Sequence, residues 1–194
     1  YGSDGNRSSP IQVSAITNWA SLSANGVDGG GGAGLTRDGK LYTWGSNGSG
    51  VLGQNDALPT ATYVAPTQVG TDTTWSVINY KAQYGAAAIK TDGTLWTWGR
   101  NTAGDCFGQS GQNNNTNYSS PMQEGTGTNW ATIGGMSEGG GMIATQTNGT
   151  LWSWGRNDYG QQAQNDNGDT ATSRSSPTQI GTSTDWARAF GGSR

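Results

Sequence analysis

Residues 148–157 read Asn148-Gly149-Thr150-Leu151-Trp152-Ser153-Trp154-Gly155-Arg156-Asn157, a turn pair running into a tryptophan-rich strand. The same ten positions recur as Asp92 to Asn101 and as Asp38 to Asn47, the latter with Tyr42 in place of the first Trp and Ser46 in place of the Arg. Two further landmarks keep step. A Pro-x-Gln unit begins at Pro10, Pro66, Pro121 and Pro177, about 55 residues apart, and a lone Trp follows at Trp19, Trp75, Trp130 and Trp186. All nine Trp therefore fall on repeat positions: these four, then Trp44, Trp98 and Trp154, then Trp96 and Trp152. Several landmarks in fixed order at one period mark a repeat architecture.

Each repeat reads as short antiparallel strands. Asp-Gly and Asn-Gly favour a two-residue type I′ hairpin, with φ > 0 at both positions. The flanking strands are Ala33 to Arg37, Ala86 to Lys90 and Met142 to Gln146 before the turn, and the Trp strands after it. In the latter, Trp152 and Trp154 share one face and Leu151 takes the other. Apolar groups on both faces fit a sheet sandwiched between neighbours, as in the blades of a β-propeller. Glycine and alanine crowd the strand before the turn, which places it innermost, where blades converge. The fold expected is an all-β propeller of four-stranded antiparallel blades.

Composition narrows the function. Charged residues make up 12% of the chain, the net charge is −3, and there is no His. The acidic balance disfavours a nucleic-acid partner. Without His, Ser-His-Asp and Cys-His arrangements and His-liganded metal sites are excluded. Cys106 cannot form an internal disulfide and has no visible activating neighbour. No stretch reaches the length of a membrane span. The expectation is a non-enzymatic protein with no cofactor and no metal.

The pattern Ser-Pro-x-Gln, Trp-Ala, Asn-Gly-Thr-Leu-Trp-x-Trp-Gly-Arg-Asn and Tyr-Gly-Gln, fullest over Ser120 to Gln161, resembles the regulator of chromosome condensation repeat. The resemblance covers nearly the whole chain and is closer to divergent bacterial and phage copies. It implies a seven-bladed ring, of which about 3.5 repeats are present: 9–64, 65–119, 120–175 and a partial 176–194, with 1–8 as the tail of a preceding repeat. Both ends fall inside a repeat, so a longer natural chain is expected. The His that the family often carries is missing. The Gly-Gln-Leu-Gly that usually closes the motif reads Gly50 to Gly53, Gly104 to Gly108 and Gly160 to Ala163.

Candidate sites divide between core and rim. The nine Trp read as blade core, with a sugar-stacking platform as the rival use. Gly29 to Gly34 matches G-x-G-x-x-G but lacks the βαβ context of a nucleotide site. Asn165 to Asp169 has calcium-loop composition without the ligand spacing. Arg100 and Arg156 share one position, as do Arg7 and Arg174; each pair fits either an anion-binding ring or ties to its own loop. The long loops, about Ser46 to Tyr63, Thr102 to Ser119 and Asn157 to Ser175, are the least repeated segments. They set Tyr63, Phe107, Tyr118 and Tyr159 among small polar residues, which suits recognition. The reading is a structural or adhesive module of a surface assembly, virion or bacterial exterior, binding protein partners, other copies in an assembly, or glycan. Alternatives are a soluble inhibitor or scaffold, a glycan-acting enzyme, and nucleotide exchange on a small GTPase.

Overall fold

The computed structural model describes residues 12, 14–25, 31–56, 61–80, 85–102, 108–136, 140–166 and 172–191. Arg7, Gly29, Gly30, Cys106, Phe107 and Asn167 to Asp169 lie outside them. Among the described residues, three four-stranded antiparallel sheets each follow chain order. The first holds β1 (Trp19–Asn25), β2 (Gly31–Thr36), β3 (Leu41–Ser46) and β4 (Thr62–Gln68). The second holds β5 (Trp75–Asn79), β6 (Gly85–Lys90), β7 (Leu95–Gly99) and β8 (Tyr118–Gln123). The third holds β9 (Trp130–Met136), β10 (Gly141–Gln146), β11 (Leu151–Gly155) and β12 (Arg174–Gln179). The Pro-x-Gln unit is thus the outer strand of the blade before it, and a blade is offset by one strand from the repeat counted from proline.

The glycine- and alanine-rich strands are not innermost. β2, β6 and β10 are second in their sheets, flanked on both sides. The inner edges are β1, β5 and β9, which approach one another from blade to blade. The crowding that demands small residues comes from indoles. A Cβ on Gly32 would sit 2.4 Å from the Trp44 ring, and one on Gly34 2.6 Å from Trp19. In the later blades Ala86 pairs with Trp98 and Ala88 with Trp96, then Met142 with Trp154 and Ala144 with Trp152.

The hairpins also differ from type I′. Gly39, Gly93 and Gly149 have φ of 75°, 78° and 80°, whereas Asp38, Asp92 and Asn148 do not enter the positive region. The Gly39 amide bonds Thr36 O and the Thr36 amide bonds Lys40 O. That is a three-residue loop, a type I turn followed by a left-handed glycine. Tertiary contact explains the glycine as well as φ: a Cβ there would lie 1.9–2.1 Å from the carbonyl oxygens of Thr73, Thr128 and Thr184 in the linker to the next blade. The carbonyls of the same glycines accept the amides of Trp75, Trp130 and Trp186. The turn therefore clamps the next inner strand.

In each blade three rings meet on one face. Trp75 lies edge-on to Trp96 and Trp98 at 5.9 and 6.4 Å, and Trp130 lies against Trp152 and Trp154 at 5.9 and 6.1 Å. The core is made between blades. Ala33, Leu35 and Leu41 of the first blade pack with Trp75, Ala86, Ala88 and Trp98 of the second. Ala87, Ile89 and Leu95 of the second pack with Trp130, Met142, Ala144 and Trp154 of the third. Trp98 and Trp154 are 1% and 0% exposed. Their indole N–H groups cross the seam to Val51 O at 2.8 Å and Gln109 O at 3.0 Å. Trp75 and Trp130 are buried as well, Trp19, Trp44, Trp96 and Trp152 are half-buried, and Trp186 is 45% exposed.

Trp98→Phe keeps an aromatic ring but leaves the buried Val51 carbonyl without its donor. It should cost at least about 2 kcal/mol in chemical denaturation. A loss below about 0.5 kcal/mol would show that the seam does not depend on this bond.

Candidate functional site: rim loops and blade seams

The long loops are more repeated than their sequence shows. The turn that closes each motif is Gly50 to Gly53, Gly108 to Gly111 and Gly160 to Ala163, with left-handed residues at both ends of each. In the second blade the equivalent of Gly50 is therefore Gly108, not Gly104. Extra residues precede the turn, and this insertion obscured the alignment. Each turn continues Gln54-Asn55, Gln112-Asn113 and Gln164-Asn165, and each of these Asn is left-handed.

One set of bonds fastens every loop. The fully buried Asn47, Asn101 and Asn157 accept through Oδ1 from the amides of Leu52, Ser110 and Gln162, each at 2.9 Å. Their Nδ2 groups donate to Asp56 Oδ1, Asn114 O and Asp166 Oδ1. Gln54, Gln112 and Gln164 donate back to Thr43, Thr97 and Ser153 of the Trp strands at 2.9–3.2 Å. Those hydroxyls in turn donate to Leu52 O, Ser110 O and Gln162 O. The buried Asn side chains and strand hydroxyls are thus paired within the loop.

The proposed rim residues fall into this frame. Tyr63, Tyr118 and Arg174 occupy one register position, opposite Gly45, Gly99 and Gly155. The Tyr63 hydroxyl donates to Asp56 at 2.7 Å, Asn114 donates to the Tyr118 hydroxyl at 2.9 Å, and Arg174 bonds Asp166 at 3.0 Å. These three brace their loops. Arg156 is paired with Asp158 and Arg100 Nε meets Thr102 Oγ1 at 3.4 Å, so both engage their own loops, through side chains. Tyr159 is 64% exposed at the loop tip. Phe107 lies outside the described residues.

Two seam features were not singled out from sequence. Between the first and second blades lies a groove of about 380 Å³, lined by Val69, Asp72, Trp75, Lys90, Trp96 and Pro121 among others. Lys90 Nζ sits 3.8 Å above the Trp96 ring and 4.8 Å above Trp75, paired with Asp72 at 2.6 Å. The other feature is Glu124. Its amide bonds Leu95 O as those of Val69 and Ile180 bond Leu41 O and Leu151 O, so a carboxyl occupies an aliphatic position. Partial burial without a compensating charge raises its pKa to about 7. Only equivalence between repeats exposes either feature, because neither Lys90 nor Glu124 belongs to a motif.

The pH dependence follows. A carboxyl raised in the folded state contributes most below its unfolded pKa near 4.5, and that contribution is lost as pH rises toward about 7. Glu124→Val, the residue of the first seam, should flatten this decline and raise stability at neutral pH. Melting temperatures of both proteins across the window check it; parallel curves would refute the assignment.

Comparison with known proteins agrees with the geometry. The regulator of chromosome condensation (RCC1) repeat matches residues 38–79 and 148–194. The human E3 ubiquitin-protein ligase HERC2 is 30% identical over 133 residues, 66% of this chain and 3% of that protein; the mouse protein matches equally. Human WBSCR16 superposes with a TM-score of 0.65 at 17% identity, over 88% of this chain and 39% of its own. Prp20p from Saccharomyces cerevisiae gives 0.63 at 18%, over 87% and 40%. Yeast RCC1 (Prp20), in its structure with Kap60, gives 0.65 at 15%, over 84% and 37%. The chain spans a small part of the curated relatives and about two-fifths of the solved structures. With the ten-residue strand motif, the four-stranded blades and the indole seams in place, the chain carries regulator of chromosome condensation (RCC1) repeats.

Proposed function

We propose that this chain is a non-enzymatic protein-binding propeller module, serving as a structural or adhesive element of a surface assembly, virion or bacterial exterior. The observation that carries the reading is the repeated bracing of the rim loops. The same Asn, Gln and hydroxyl bonds hold each one rigid, and Tyr159 is presented exposed at a tip. A preorganised loop loses little entropy on binding, and an exposed aromatic on a rigid scaffold is a typical anchor. The yeast relative is described as binding Gsp1p and histones, and as bound by Kap60. Those partners are its own, but they support protein binding as the use of this architecture. The exterior location is supported by the 12% charged content, the absence of His and the Asn-rich loops.

Affinity capture from the source, with particle, envelope and cytosolic fractions kept apart, tests both parts. The wild-type chain should retain one stoichiometric protein, and Tyr159→Ala should weaken that complex about ten-fold at unchanged melting temperature. Equal retention by the variant would reject the loop-tip site. Recovery of the native protein only in cytosol, away from any particle, would reject the surface location.

A further inference from the structure

The first seam contains a filled cation cage, and the second contains the same cage altered in three places. In the first, the indoles of Trp75 and Trp96, 5.9 Å apart at 79°, hold the Lys90 ammonium, with Asp72 as counter-charge. In the second, Trp130 and Trp152 keep this arrangement at 5.9 Å and 73°. Lys90 pairs with Trp75 across the strands as Gln146 pairs with Trp130, so Gln146 stands in the lysine's place. Its Oε1 is turned to Asn129 Nδ2 at 3.0 Å and Thr150 Oγ1 at 3.3 Å. Gly127, three residues before the lone Trp like Asp72, contributes no side chain. Glu124 stands where Val69 lines the first groove. The resident cation and its counter-ion are both gone, and a new carboxylate has been added.

We propose that the seam between the second and third blades, built like the first, binds the side-chain ammonium of a lysine from a partner protein at Trp130, Trp152 and Glu124. The first seam is the internal precedent for the geometry, since an ammonium over two indole faces gains from both ring quadrupoles. Glu124 supplies the negative charge that such a cation needs when it leaves water. Among the described residues Glu124 has no ion pair, and desolvation is what raises its pKa, as expected of a carboxyl whose cation must come from outside. Elements packed near it bring no rival cation: the 108–111 turn has no charged residue, and Arg174 of β12 is committed to Asp166. The assignment deepens the protein-binding reading by naming the side chain that a partner inserts.

The test needs no partner. Butylammonium chloride is titrated into the 194-residue chain against sodium chloride at equal ionic strength, reading the indole N–H resonances of Trp130 and Trp152. Butylammonium should move both signals saturably, and binding should weaken as pH falls from about 8 to about 5, because protonation removes the Glu124 charge. Glu124→Val should weaken binding about ten-fold. Gln146→Lys should abolish it by filling the cage from within, as Lys90 does. Shifts no larger than with sodium, or binding indifferent to both substitutions, would overturn the assignment. Capture of a partner through Tyr159 would be unaffected by such a result, so failure of the seam site and failure of the protein-binding reading remain distinguishable.

Discussion

The hydrogen bond from a buried indole N–H to the backbone of the preceding blade is the constraint on which the rest of this molecule depends. Trp98 and Trp154 each deliver one, to Val51 O and Gln109 O. At these two positions a buried indole N–H gains an acceptor and a buried loop carbonyl gains a donor. Each satisfies the other only if the turn comes close. That explains the glycines at 53 and 111, where a Cβ would lie 2.9 and 3.0 Å from the indole nitrogen. It also explains the small residues of the second strands, over which the indoles lie, and the Asn that holds each turn in place.

A paired exchange shows the same economy. Trp96 and Trp152 donate from Nε1 to Thr94 and Thr150, both at 2.8 Å, and those threonines bond Asp92 and Asn148 of the turn at 2.7 Å. The first blade has Tyr42 and Lys40 at these positions. A phenol needs no acceptor so near the backbone, and Lys40 instead pairs with Asp38 at 2.8 Å. The ring and the residue two before it change together because one serves the other. Ala163 is an exception to the glycine rule at the third turn, where it has φ of 52° and carries the Cβ that the first two turns exclude.

Strand content, blade class and the sandwiching of sheets were legible because the Trp and Gly landmarks report local conformation and burial directly. The depth order of the strands was not. Small residues record crowding without saying what crowds them, and here it is indoles rather than the ring centre. The hairpin type was misread because Asp-Gly also suits a three-residue turn, which its contact with the following linker selects. The rim tyrosines looked like recognition residues by composition. Only register shows that Tyr63 and Tyr118 share a bracing role with Arg174. Lys90 and Glu124 escaped notice because their meaning lies in what occupies the same place one blade away.

The seam bonds join residues 47 and 45 apart in the chain, and each acceptor precedes its donor. Stability is thus written largely in nearest-neighbour terms, as in stacked repeat arrays. During synthesis the turn that offers Val51 O is complete before Trp98 emerges, and Gln109 is in place before Trp154. Each finished blade is a template waiting for the next, so assembly can proceed in the direction of translation, with little search entropy at each step.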